Sequence, residues 1–245
     1  MRCASSSIPS VSVLWICCIT LLALSGASTI EMKLNIEGMN GQLQGGWTLH
    51  GANGNCSTSL STTSVRETGT GCLLQVDDNA LFSVTGSNED KNFQGVNIVG
   101  YATDSGAKDL TTFFGKRKDL EMILRTLDMH YEPKKGVCVI GIDTSSDGSN
   151  EPNTLVAAVG ASAIIDADSS PGFIYAPKPT IGQNIEEGGS SFITFPNVDV
   201  GSTEIHVSPP PGMTCDLGPA GTSTGETVKV DVFADTVSVV SMICH

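Results

Sequence analysis

Apolar positions along this chain fall in short runs, with Gly, Ser, Thr, Asn and Asp clustered between them. The runs are Cys72-Leu73-Leu74-Gln75-Val76, Leu81 to Val84, Val96 to Val99, Val137 to Ile142, Ala163 to Ile165, Ser191 to Phe195, Glu204 to Ser208, Val228 to Val232 and Val237 to Ile243. Two of them alternate with a period of two, as a strand with one buried face must. Ile205 and Val207 oppose Glu204, His206 and Ser208, and Val228, Val230 and Val232 oppose Lys229 and Asp231. Several short strands with frequent turn residues predict a mainly β protein built as a β-sandwich. Asn197 to Gly201 reads as a hairpin turn between the strand ending near Phe195 and the strand starting near Glu204, with Gly201 supplying backbone freedom.

One segment follows a different period. Leu120, Ile123, Leu124 and Leu127 recur at helical spacing, while Asp119, Glu121, Arg125 and Asp128 take the other side. This predicts one amphipathic helix between two β units. Thr111 or Thr112 is the expected cap at its start, and Pro133 its expected end. The organisation read from these patterns is an export segment over 1–28, an N-terminal β unit over 29–106, a helical connector over 107–135 and a second β unit over 136–245.

The second unit carries a spaced set of residues: Gly136-Val137-Cys138-Val139, Ile142-Asp143, Gly148, Pro152 and Gly160-Ala161-Ser162-Ala163. Then come Gly189-Ser190-Ser191-Phe192-Ile193-Thr194-Phe195-Pro196-Asn197-Val198-Asp199-Val200-Gly201 and a strand ending in Pro211-Gly212. The pattern resembles the carboxypeptidase regulatory-like domain, a prealbumin-like (transthyretin-like) β-sandwich. Asp199-Val200 stands where that family usually has Pro-Pro. The resemblance implies a prealbumin-like sandwich that serves as an accessory domain, stabilising, spacing or binding. Asp78 to Val84 followed by Val99-Gly100-Tyr101 echoes the same family, which would make the first half a diverged copy.

Arg2, an apolar stretch from Val11 to Leu24 and the small residues Ser25 to Ser28 form the pattern of a cleaved secretory signal. The stretch is shorter than the roughly 20 residues that span a bilayer, so no membrane span is expected after cleavage. Without Arg2 the chain has 12 Lys and Arg against 26 Asp and Glu, a net charge of −14. Such a surface repels phosphate backbones and anionic lipid, which excludes nucleic acid and favours cations and basic proteins. Five cysteines remain: Cys56, Cys72, Cys138, Cys215 and Cys244. In an exported chain disulfides are the default. Local loops favour Cys56–Cys72 and Cys215–Cys244, with Cys138 a buried strand thiol and Cys138–Cys244 the competing pair. The prealbumin-like resemblance implies that Cys215 and Cys244 lie across neighbouring strands. Asn55-Cys56-Ser57 reads as a glycosylation sequon at Asn55.

His50, His130, His206 and His245 form no zinc-peptidase motif, and no nucleophile elbow is present. His206 reads as a solvated residue on an outward strand face. Two oxygen-rich loops suit calcium: Asp143, Ser145 and Asp147 in the first, Asp166 and Asp168 in the second. Each has a competing reading as an ordinary turn whose Asp and Ser bond their own backbone. The expectation is therefore a secreted, non-enzymatic sandwich with an interaction or structural role, without a cofactor unless calcium binds. Its expected partners are extracellular protein, polysaccharide or a mineral surface. The alternative is an acidic calcium-associated matrix protein, and a more distant one is a hydrolase without a recognisable motif.

Overall fold

The computed structural model describes residues 29–38, 47–51, 59–60, 72–88, 90–92, 94–102, 109–114, 116–145, 155–176, 178–218 and 226–245. The first half contains β1 (Thr29–Gly38), β2 (Trp47–Gly51), β3 (Ser59–Leu60), β4 (Cys72–Asp77), β5 (Ala80–Asn88), β6 (Gly95–Ala102) and β7 (Asp109–Phe114). Helix α1 (Arg117–Thr126) follows, then β8 (Gly136–Ser145), β9 (Leu155–Ala157), β10 (Ser162–Ile165), β11 (Phe173–Ala176) and β12 (Lys178–Ile181). The last strands are β13 (Phe192–Val198), β14 (Gly201–Ser208), β15 (Cys215–Leu217), β16 (Thr227–Val232) and β17 (Thr236–Cys244). The expected class, mainly β with a sandwich arrangement and one helix among the described residues, is what the protein shows.

The largest sheet runs β12-β11-β13-β8-β17-β6-β5-β2-β3, with β15 also on β17 and β9 on β8. Strands β10-β14-β16 form a second sheet, and β4-β1-β7 a third. The core lies between the first two. Cys138, Ile140 and Ile142 of β8, Ile193 and Phe195 of β13, and Val240 and Met242 of β17 pack with Ala163 of β10, Ile205 and Val207 of β14, and Val228, Val230 and Val232 of β16. The alternation in β14 and β16 thus places one face of the small sheet inward and leaves the other to solvent.

Strand β17 runs parallel to β8 on one side and to β6 on the other, with Val237 opposite both Val137 and Val96. The last strand of the chain is therefore an interior strand, and it joins strands of the first and second halves in one sheet. A polar network fastens the same region. Arg117 donates through Nε to Asp235 Oδ1 at 3.1 Å and also pairs with Oδ2. Tyr131 donates to the same Oδ1 at 2.6 Å, and Gln94 Nε2 donates to the Tyr131 hydroxyl at 2.7 Å.

Three local expectations are corrected. First, Asn197 to Gly201 is not a hairpin. β13 pairs with β8 and β11, whereas β14 pairs with β10 and β16, so Asp199-Val200 carries the chain from one sheet to the other. Asn197 adopts φ 55° and Gly201 φ 140° to make the change of direction. The Asn197 side chain holds it, accepting from the Glu132 N–H at 2.9 Å and donating to the His130 carbonyl at 2.7 Å and Ser170 Oγ at 2.9 Å. Second, Thr111 and Thr112 lie in β7, and the helix N-cap is Lys116, whose backbone N–H bonds the Asp119 carboxylate. Third, the helix stops before Pro133. Asp128 turns left-handed at φ 59°, and the N–H groups of Met129 and Asp128 bond the Leu124 and Arg125 carbonyls, a Schellman termination.

Cys215 and Cys244 face each other in the β15–β17 register and are disulfide-bonded, as local spacing favoured. The competing Cys138–Cys244 pair is excluded, since Cys138 lies opposite Ser238, well down β17 from Cys244. Cys138 is free and buried. Burial pushes its thiol up to about 12. Asn55, Cys56 and the export segment lie outside the described residues, and with them the expected Cys56–Cys72 bridge. Among the described residues no helix is long and apolar enough to cross a membrane.

Candidate functional site

The outer face of the β10-β14-β16 sheet gathers the donor groups. Antiparallel register places Ile165 opposite Ile205, so Asp166, the next residue, stands beside Glu204. Two backbone-directed bonds fix it there: the Asp166 N–H donates to the Glu204 carbonyl at 3.0 Å, and the Ala167 N–H donates to Thr203 Oγ1 at 3.0 Å. Glu204 and His206 share a face of β14, being two residues apart. On the other side, β16 sets Thr227 opposite His206 and Lys229 opposite Glu204.

His206 is held at both nitrogens. Its Nδ1 lies 3.0 Å from Thr227 Oγ1, and its Nε2 lies 3.1 Å from Asp166 Oδ2. Ligand atoms of Asp166, Glu204 and His206 all fall within 4.8 Å of one another. Asp166 and Glu204 line a shallow hollow together with Ala167, Ser202, Thr203 and Lys229. Asp166 and Glu204 are exposed and His206 is partly so, so an ion or a partner can reach them from solvent. His206 is thus not merely the solvated residue that its outward strand position predicts. The sequence signal for the cluster is Glu204-Ile205-His206, an acid and an imidazole on one face of a predicted strand.

The five oxygen donors expected for calcium are distributed otherwise. Asp143 lies in β8 between β9 and β17, opposite Ala157 and Ile243. Burial holds its carboxyl above the ordinary range, and a hydrogen bond with Ser191 draws it partly back. Ser145 ends the same strand, and Asp147 lies outside the described residues. Asp166 joins Glu204 and His206, while Asp168 is exposed and bonds the Asp199 N–H through its carbonyl at 2.9 Å. Asp199 in turn pairs with Lys135 at 3.0 Å.

No protein-family model matches this sequence, and no curated protein does. Solved structures with loose similarity include the Bacillus anthracis TIE protein, 12% identical with a TM-score of 0.28, the match covering 88% of this chain and 34% of that one. A streptococcal ancillary pilin is 11% identical with a TM-score of 0.27, covering 90% of this chain and 64% of the pilin. The minor pilin of Streptococcus agalactiae is 6% identical with a TM-score of 0.30, covering 87% and 95%. The chain thus spans about a third of the first protein and under two thirds of the second. Scores at this level identify neither fold nor function, and the architecture rests on the strand pairing itself.

Proposed function

We propose that this chain is an extracellular β-sandwich protein with a binding or spacing role rather than a catalytic one. The observation that carries this reading is the Cys215–Cys244 disulfide between register-paired strands, because such bonds persist in oxidising compartments. The export pattern at residues 1–28 and the acidic balance of the sequence point the same way. The finer kinship, to the carboxypeptidase regulatory-like domain, is part of the proposal. It is supported by Gly136 to Ile142 opening the second half as a buried strand and by the sandwich that follows. Its partners on this reading are extracellular protein, polysaccharide or mineral.

The test is retention of the purified secreted chain on immobilised basic matrix protein, polysaccharide and calcium mineral, alongside a hydrolase substrate panel. The expected result is retention on at least one surface, weakened by salt as attraction of an acidic chain requires, with no turnover. Turnover of a panel substrate, or passage through all three surfaces at low salt, contradicts the proposal.

A further inference from the structure

We propose that Asp166, Glu204 and His206 form a zinc-class metal site on the outer face of the β10-β14-β16 sheet. Strand register brings the donors together. β14 projects Glu204 and His206 from one face, and the backbone bonds of Asp166 and Ala167 lock the third donor beside them. Three donors from two adjacent strands thus converge without the chain having to fold around an ion.

The spacing suits a single ion. Two donors about 2.1 Å from a tetrahedral zinc stand roughly 3.3–3.4 Å apart. His206 Nε2 and Asp166 Oδ2 stand 3.1 Å apart, with the Glu204 carboxylate inside the same 4.8 Å group. Asp166 and Glu204 are exposed, which leaves their side chains free to rotate toward coordination distance. Donor chemistry selects the metal class. Calcium and magnesium take oxygen ligands, whereas imidazole with carboxylates suits zinc and its first-row neighbours.

Thr227 completes the arrangement. Metal-bound histidines usually donate their other ring N–H to a fixed acceptor, which sets the tautomer and the ring plane. Thr227 Oγ1 stands 3.0 Å from Nδ1; by accepting that proton it leaves the Nε2 lone pair directed at the Asp166 side. Lys229 borders the same hollow, but its long flexible stem lets the ammonium swing into solvent when a divalent ion arrives. Three protein ligands leave a fourth position for water or for a donor from a partner. The site therefore offers a cation-dependent contact on the solvent face of this sheet. The rival arrangement is a simple Asp166–His206–Thr227 hydrogen-bond chain with no affinity for metal.

Isothermal titration of Zn²⁺ into the full secreted chain, free of any affinity tag and with millimolar calcium present, decides between them. The expected result is one zinc per chain, with His206→Gln and Glu204→Gln each lowering affinity more than about tenfold, and Thr227→Val lowering it by about tenfold as loss of a supporting hydrogen bond does. His245→Gln, which alters a separate His–Asp pair with Asp216 at 3.5 Å, should leave binding unchanged. Circular dichroism confirms that each variant keeps the β fold. Absence of zinc binding, abolition by calcium, or binding that survives both His206→Gln and Glu204→Gln overturns the proposal.

Discussion

Tyr131 shows how a single residue fastens separate parts of this fold. It connects Asp235, in the turn before β17, to Gln94, just before β6, and Asp235 also binds Arg117 at the start of α1. Gln94 is buried, so Tyr131→Phe leaves it without this partner. The expected cost is about 1–3 kcal/mol in equilibrium unfolding, the penalty of an unmatched buried polar group. Burial and the adjacent Asp235 carboxylate hold the Tyr131 phenol above its ordinary range. A group whose folded pKa is raised contributes fully below its unfolded pKa, near 10 for tyrosine, and that contribution is lost as pH climbs above it. Denaturation series from pH 8 to 11 should therefore show wild type losing stability more steeply above pH 10 than Tyr131→Phe, the gap between them narrowing. None of this is legible in the sequence, since Gln94, Tyr131 and Asp235 are polar residues in connecting segments and Arg117 opens α1 off its apolar stripe, with no period to mark any of them. His206 was missed for a related reason: its partner Asp166 lies 40 residues away.

Strands were legible as elements but not as members of particular sheets. The valines of β16 and the isoleucine and valine of β14 announced their buried faces by alternation, and the structure buries them. Alternation says which way a side chain points, not which neighbour supplies the hydrogen bonds. That is why Asn197 to Gly201 reads as a hairpin turn although it links two sheets. Asn197 and Gly201 supplied the expected turn chemistry, but the change of direction they make leads away from β13 rather than back along it. Cys215–Cys244 is more accessible to sequence reasoning because the bridged residues are only 29 apart, Cys215 opening β15 and Cys244 closing β17. On the chain-entropy account a loop of that size contributes about 3–4 kcal/mol. The double variant Cys215→Ser, Cys244→Ser should lose about that much in urea denaturation, and peptide mapping without reduction should recover a Cys215–Cys244 fragment from wild type. A Cys138–Cys244 fragment would contradict the register described here.

The whole molecule depends on its last strand. β17 lies between β8 and β6 with parallel pairing on both sides, and β15 is bonded to its end by the disulfide. Sequence pattern cannot show this, because β6 and β17 are separated by the whole second half of the chain and parallel partners carry no local turn signal. The consequence is cooperative: removal of β17 strips one edge from strands of both halves. Amide hydrogen exchange, followed residue by residue on the chain with its disulfide oxidised, tests this most directly. The account predicts that Val237 to Val240, Val137 to Ile140 and Val96 to Val99 form one slowly exchanging group that opens together. Exchange of β6 at a rate set independently of β8 and β17 would contradict it, and would show two halves that fold without a shared strand.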